Sequence, residues 1–229
     1  QNSQIDSEDF YFAASYYGDT NIAALRTPTG SFFDIFFYQP GYLTATVSPA
    51  LDYFMTGAET VSLRQNWTDQ DAIWCGLHVG PNVSDHSDMD SGTFILEAGG
   101  QRWFSDIGSE NYNIGGYFGT TRYLYYRKSL EAHNSIMILS DKADVKTNGQ
   151  VYNTYNDKYA VISRFDTNDY GAVTVADMTP QYGSACTGAE RALMITNSMQ
   201  SVVLQDEVTF SSPTDLVWNL NINGNGVRV

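Results

Sequence analysis

Residues 92–106 read GTFILEAGGQRWFSD and predict two antiparallel strands joined by a tight turn. The two halves, GTFILE and RWFSD, are rich in β-branched and aromatic residues, which favour strands. Between them, Gly99 and Gly100 suit a two-residue hairpin turn, because such turns need a positive φ at their central positions. The segment therefore predicts a β-hairpin within an antiparallel sheet.

Short strand-like segments continue on both sides of this hairpin from about Glu59 onward. Gly, Asn, Asp or Pro interrupts them at intervals of roughly 8–14 residues, which is typical of all-β domains. A second turn is predicted at residues 197–200, NSMQ. No parallel βαβ rhythm is present, so we expect a mainly β fold, a large sandwich of stacked antiparallel sheets. The segments read TVSLRQNW, AIWCGLHVG, NSIMILSD, KYAVISRF, GAVTVADM, ERALMITNS, SVVLQDEVTF and DLVWNLNING.

The start of the chain has a different pattern. Residues 6–25 predict a helix that Gly18 is expected to interrupt. Residues 31–41, SFFDIFFYQPG, are a compact apolar run, for which periodicity alone leaves a buried helix and a strand open. The apolar stripe expected on the first helix consists of Phe10, Ala13, Ala14 and Tyr17.

Composition narrows the class of protein. The chain has 229 residues and a formal net charge of -14, which excludes a nucleic-acid clamp, because phosphate binding needs clustered basic side chains. Charged residues are only 17% and apolar residues 42%, which indicates a globular chain. No apolar run approaches the roughly 18 residues of a membrane span. Cys75 and Cys186 could pair, but two separate buried thiols are favoured.

Chemically versatile residues lie beside the predicted hairpin. His86, Asp88 and Asp90 are two positions apart, so their side chains share one face where the chain is extended. Asp106 ends the second strand of the hairpin, and His133 opens a later strand. Imidazoles and carboxylates that meet at one sheet edge would form a cation site or a proton-transfer site. Taken alone, the residues also fit ordinary hydrogen-bonding histidines, a weak Ca²⁺ loop or a solvated acidic loop.

Residues 107–130 form a long connection with six Tyr or Phe side chains. Connections of this length in a compact domain are usually functional or disordered, and the aromatic content argues against disorder. We therefore expect this connection to take part in function.

Several motifs follow one another between about residues 64 and 221. They are His86-x-Asp88-x-Asp90-Ser91-Gly92-Thr93-Phe94, Trp103-x-x-Asp106-x-Gly108, Tyr112, Tyr126-Arg127, His133-Asn134-Ser135, VVLQDEV at 202–208 and VWNLN at 217–221. In this order they resemble the heparinase II/III-like family of polysaccharide lyases. Each piece is weak, but the combined order is specific.

The resemblance implies an architecture and a metal site. Residues 1–45 would be the helical tail of an α-toroid that is mostly absent from this chain, and residues 46–229 would be a supersandwich-like β-domain. A zinc ion would be held by Asp88, Asp106 and His133. The family usually has His where this chain has Asp88, and a carboxylate extends the choice of cofactor to Ca²⁺ or Mn²⁺.

The resemblance also implies lyase chemistry on an acidic polysaccharide such as a glycosaminoglycan. The family cleaves uronic-acid glycans by β-elimination, in which His86 would be an acid or base and Tyr112 would assist proton transfer or contact the sugar. Arg122 and Arg127 would bind the substrate in a local cationic cleft, despite the net charge.

Arg127 could instead form a structural pair with Asp90 or Glu131. The principal Tyr base of the family comes from the toroid, so the chain by itself is expected to be weak or inactive. Two functions other than a lyase also remain open. One is a non-catalytic carbohydrate-binding or structural sandwich with a cation site, and the other is a Ca²⁺-stabilised adhesion domain. Both would share the fold. The composition suits a secreted or periplasmic bacterial protein.

Overall fold

A computed structural model describes residues 7–24, 34–39, 42, 50–81, 86–119, 122–139, 159–196 and 201–223. Antiparallel sheets dominate it, which confirms the predicted fold class. The chain divides into two compact units, residues 1–50 and residues 51–229. The predicted domain boundary between residues 45 and 46 lies outside the described residues, and the implied toroid stays a prediction. No helix in the described ranges is long and apolar enough to cross a membrane.

The first unit contains short helices. They are α1 (Ser7–Tyr17), α2 (Thr20–Ala24) and α3 (Asp34–Phe37). Gly18, with a φ of 67°, separates α1 from α2, because a left-handed residue ends a helix and glycine adopts that conformation without strain. Within the apolar run of residues 31–41, residues 34–37 form α3, so this part of the run is helical.

The apolar stripe of α1 differs from the expected one. Tyr11 and Ala14 are buried, together with Ala23 and Tyr42, whereas Tyr17 is exposed. The ring of Tyr11 stacks on that of Tyr42, with 5.7 Å between the centroids. This aromatic packing decides which face of the helix is buried, so the prediction for Tyr17 was wrong.

In the second unit, the described residues form three antiparallel sheets. The first has the order β1-β2-β3-β4-β5, the second β10-β9-β8-β7, and the third pairs β11 with β6. The strands are β1 (Tyr53–Met55), β2 (Thr60–Arg64), β3 (Trp74–His78), β4 (Thr93–Ala98), β5 (Gln101–Phe104), β6 (Ile136–Leu139), β7 (Val161–Asn168), β8 (Gly171–Asp177), β9 (Gly188–Thr196), β10 (Ser201–Thr209) and β11 (Asp215–Trp218). A short helix, α4 (Thr179–Tyr182), connects β8 towards β9.

The hairpin predicted within residues 92–106 is present. Ala98 pairs with Gln101, and the intervening Gly99 and Gly100 have φ values of 60° and 68°. These positive values are those of the predicted primed turn. β9 and β10 also pair as neighbours, but the turn predicted between them at residues 197–200 lies outside the described residues.

One apolar core joins the sheets. Alternate residues point inward, such as Val61 and Leu63 on β2 and Leu193 and Ile195 on β9, and Ile138 of β6 packs with them. Side chains from facing sheets that share one core define a sandwich. Burial of this apolar surface supplies the main driving force for folding.

The two cysteines are separate buried thiols, as predicted. Burial, assisted by the negative charge of Asp52, raises the pKa of the Cys75 thiol to about 12. Burial also raises the pKa of the Cys186 thiol. Both thiols therefore serve as small core residues.

Candidate functional site

Asn134 lies fully buried where β6 begins and joins three segments. Its side-chain amide donates to the carbonyl oxygens of Phe94 at 2.8 Å and Ser105 at 3.2 Å. Its Oδ1 accepts a hydrogen bond of 2.5 Å from the backbone N–H of Asn221. A buried amide with these partners holds both strands of the hairpin and the segment after β11 at the start of β6.

Arg191 of β9 extends this junction into the second sheet. The side chain is fully buried, and its Nε and Nη2 donate to the two carboxylate oxygens of Asp206 at 2.7 and 2.8 Å. Its Nη1 donates to the carbonyl oxygen of Asn134 at 2.7 Å and also to that of Gly92. Because each buried charge is paired, the cost of burying it is offset. We call Asn134, Arg191 and Asp206 the buried tie.

His133 and Asp106 meet beside the buried tie, although they are far apart in sequence. His133 Nδ1 lies 3.0 Å from Asp106 Oδ2, and Asp106 Oδ1 accepts a 2.6 Å hydrogen bond from the backbone N–H of Gly108. The imidazole is buried, whereas the carboxylate is partly exposed. Within the described residues, His133 Nε2 is buried and has no hydrogen-bond partner. The pair thus fixes the orientation of the ring through one nitrogen.

Local charge shifts the pKa values of this pair. Burial acts to lower the pKa of His133, but the hydrogen bond to Asp106 and the charges of Asp90, Asp106 and Asp88 outweigh it, so the pKa is raised. The hydrogen bond to His133 is the main reason why the pKa of Asp106 is lowered. The surroundings of His133 are therefore acidic.

Asp90 approaches a histidine that the sequence did not single out. His78 Nε2 lies 3.9 Å from Asp90 Oδ1, and His78 Nδ1 lies 2.8 Å from the hydroxyl oxygen of Thr60. Burial is the main cause that raises the pKa of Asp90. His78 ends β3 directly opposite Thr93, so strand register brings it to Asp90.

Asp88 pairs with a buried ammonium group. Its Oδ1 lies 2.6 Å from Lys128 Nζ, and the Lys128 side chain is only 3% exposed. Lys128 Nζ also lies 3.3 Å from the carbonyl oxygen of Ser87 and 3.4 Å from that of His86. The ring of Tyr117 covers the same ammonium, with its centroid 4.6 Å away.

The predicted metal ligands therefore have different partners. Asp106 and His133 contact each other, whereas Asp88 contacts Lys128. In the part of the chain that the structure describes, no three His, Cys, Asp or Glu side chains form a group that could hold a metal ion. As they are arranged, the three predicted ligands do not fit a shared zinc ion, and metal binding stays a prediction.

The two residues predicted to be catalytic are neighbours. The ring centroids of His86 and Tyr112 are 6.1 Å apart, and both side chains are exposed. Phe118 packs edge-on against both rings, and Tyr117 lies 4.9 Å from Tyr112. We call His86, Tyr112, Tyr117 and Phe118 the aromatic cluster. Its rings Tyr112, Tyr117 and Phe118 belong to the long connection in which the sequence predicted function, whereas His86 precedes the hairpin.

The two predicted substrate-binding arginines differ in exposure. Arg122 is buried and stacks on the ring of Tyr123 at 4.5 Å. Arg127 is partly exposed, and its Nε lies 3.1 Å from Glu110 Oε1. Arg127 also donates to the carbonyl oxygen of Ile107. The pairing is thus with Glu110, within the long connection.

Sequence reasoning missed Arg191, Asp206 and Lys128 as structural elements of this region. Arg191 carried a usable signal, because it is in phase with the buried positions Ala189 and Leu193 of β9. A charged residue at a core-facing position predicts a buried partner. The partner Asp206 is the residue directly opposite on β10.

Fold and site define an antiparallel β-sandwich with a histidine–aspartate pair at a junction of its sheets. The family description "Heparinase II/III-like, C-terminal" matches residues 72–229, which is more than half of the chain. The chain therefore belongs to the heparinase II/III-like family, as the motif order predicted. A search of curated protein sequences found no match.

Two solved structures share the fold. The heparan sulfate lyase HepC from Pedobacter heparinus matches with a TM-score of 0.64 and 16% identity, over 95% of this chain and 30% of that chain. A structure described as heparinase III, the BT4657 gene product, matches with a TM-score of 0.67 and 14% identity, over 97% of this chain and 30% of that chain. The chain thus spans 30% of the length of these two proteins.

Proposed function

We propose that this chain is the β-sandwich part of a polysaccharide lyase that cleaves a uronic-acid-containing glycan by β-elimination. The observation that carries the proposal is the contact between the exposed rings of His86 and Tyr112, in a chain of the heparinase II/III-like family. An exposed imidazole beside an exposed phenol offers two groups that can exchange protons with a bound ligand.

The reaction requires proton transfer at two positions of the sugar. A base removes the proton from C5, the electron pair forms a C4–C5 double bond, and the C4–O bond breaks while the leaving oxygen takes up a proton. His86 is suited to one of these transfers, because an imidazole can accept and donate a proton. Tyr112 would contact the sugar ring or assist the transfer. Removal of the C5 proton also requires that the negative charge on the C6 carboxylate be stabilised.

The substrate class follows from the family and from the cationic residues. HepC is described as a heparan sulfate lyase, and we propose a related acidic glycosaminoglycan for this chain. Arg127 presents a partly exposed guanidinium that suits a carboxylate or sulfate. Arg122 is buried, so in this proposal it orients the connection and does not face the glycan. We also propose the secreted or periplasmic bacterial setting in which such glycans are met.

A lyase assay on this chain tests the proposal. We expect slow formation of unsaturated product from a glycosaminoglycan, followed by ultraviolet absorbance, and a loss of about 100-fold in the variant His86→Gln. Tyr170→Phe is the matched control, because Tyr170 is an exposed aromatic residue in the β7–β8 turn and lies outside the aromatic cluster. Equal rates for His86→Gln and the unchanged protein would contradict the proposed role.

A second candidate is a non-catalytic glycan-binding sandwich. Exposed aromatic faces such as those of Tyr112 and Phe118 are suited to stacking on sugar rings, and they need no base. Glycan binding without any unsaturated product, measured by calorimetry and the same assay, would favour this candidate over the lyase.

A further inference from the structure

We propose that Lys128 is the resident cation of this site, so that the segment around Asp88 is held by an internal ammonium group in place of a metal ion. The proposal concerns how the site is built. It stands whether or not the chain cleaves glycans.

The donors of Lys128 match the acceptors around it. A lysine ammonium has three N–H donors. Among the described residues, the oxygen atoms near Lys128 Nζ include Asp88 Oδ1 at 2.6 Å and the carbonyl oxygens of Ser87 at 3.3 Å and His86 at 3.4 Å. The ring of Tyr117 closes another side. Carboxylate and carbonyl oxygens are also the ligands of a hard metal cation, so the ammonium has a cation's surroundings.

The ammonium group of Lys128 is buried. The Lys128 side chain is 3% exposed, and a buried ammonium is costly unless it is paired. Its pairing with Asp88 is therefore needed for the folded structure, unlike a pair at the surface. The backbone contributes as well, because the carbonyl oxygen of Lys128 accepts a 3.0 Å hydrogen bond from the N–H of Met89. Residues 86–89 are thus held by both the side chain and the main chain of Lys128.

Lys128 and a metal ion would compete for the negative charge of Asp88. The negative charges of Asp88, Asp90 and Asp106 all act on His133, so this region needs a compensating positive charge. Lys128 supplies one at Asp88. A metal ion bound by Asp88 would lie within a few ångströms of the ammonium, and the two cations would repel each other strongly in a partly buried site.

The test compares metal content and thermal stability of the full chain and three variants. In the unchanged protein, we expect substoichiometric zinc, calcium and manganese by elemental analysis and no change in Tm on adding EDTA. Lys128→Met should lower Tm by about 5 °C or more, because it leaves Asp88 without its buried partner. Its Tm should then rise on adding Zn²⁺ or Ca²⁺, because the carboxylate becomes available to an ion.

Two control variants sharpen the test. Lys128→Arg keeps the positive charge and should gain no metal response. Arg102→Met removes a cation from the exposed pair with Glu97 and should change neither Tm nor the metal response.

Three outcomes would overturn the proposal. The first is stoichiometric metal in the unchanged protein with a Tm that falls in EDTA, a measurement that needs no variant and decides the matter even if Lys128→Met does not fold. The second is a Lys128→Met variant as stable as the unchanged protein. The third is a destabilised Lys128→Met variant with no metal response, because Lys128 would then be only a packing residue.

Discussion

The buried tie and the aromatic cluster belong to the same motif region but are built in opposite ways. In the tie, Asn134 and Arg191 are fully buried, and their side-chain polar atoms bond to backbone groups or to Asp206. In the cluster, Tyr112 and His86 are exposed, and their neighbours are other rings. The difference separates two tasks: the tie uses its polar groups to hold segments together, whereas the cluster leaves its polar groups exposed, where the proposed function would have them meet a ligand. Substitutions should therefore change stability in the first region and ligand chemistry in the second.

The largest expected effect is that of Arg191→Met. The substitution leaves the mostly buried carboxylate of Asp206 without its partner and removes the donor to Asn134 and Gly92, so we expect a loss of about 3–5 kcal/mol in the free energy of unfolding. Chemical denaturation measures it. Arg164→Met is the matched control, because Arg164 forms an exposed pair with Asp166 on β7 and should cost less than about 1 kcal/mol. If the free energy of unfolding of Arg191→Met lay within about 1 kcal/mol of that of the unchanged protein, the comparison of the two regions would fail.

A smaller effect is expected for Gly92→Ala, beside the tie. Gly92 has a φ of 90°, and an added Cβ would clash with Met178 and lie 2.8 Å from Ser135 Oγ. We expect a loss of about 2–3 kcal/mol, from backbone strain and from overpacking. Gly115→Ala in the long connection is the control, since its Cβ would meet nothing within 4 Å. Equal stability of the two variants in thermal unfolding would show that the junction is not tightly packed.

The smallest effect on stability is expected for Tyr112→Ala. The side chain is 51% exposed, so the substitution should cost about 1 kcal/mol or less. Its effect should appear in glycan binding, with a loss of about tenfold, because one sugar-facing ring is removed. Calorimetric titration with a glycosaminoglycan checks this, with Tyr170→Phe as the control. Unchanged binding together with a large loss of stability would reverse the roles of the two regions.

Local sequence patterns predicted much of this fold. The Gly99-Gly100 turn, the alternating strands and the helix broken at Gly18 depend on residues near one another in the chain, so sequence reasoning could reach them. The meeting of His133 with Asp106, which are 27 positions apart, was expected from strand ends that share a sheet edge and from the family resemblance, but as metal ligands and not as a hydrogen-bonded pair. On α1, the prediction that Ala14 is buried is confirmed and the prediction that Tyr17 is buried was wrong, since Tyr11 packs against Tyr42 on the buried face.

Local patterns could not predict which of the individual cationic side chains are buried. Lys128, Arg122 and Arg127 are close together in the sequence and have the same sign of charge, yet Arg122 and Lys128 are buried and Arg127 is partly exposed. The expected cationic cleft rested on their proximity in the chain. Exposure depends on distant segments, such as the one that brings Asp88 to Lys128 across 40 positions.

By itself, the amino-acid sequence determined that this protein is an antiparallel β-protein with the motif order of a lyase family. Periodicity and turn chemistry act between neighbouring residues, so they do not depend on tertiary contacts. Only the tertiary structure decided that Arg191 bonds to Asn134, that Asp88 meets an ammonium and that His86 lies among aromatic rings. Those outcomes depend on strand register and burial, which are set when remote segments pack together and each buried charge must find a partner.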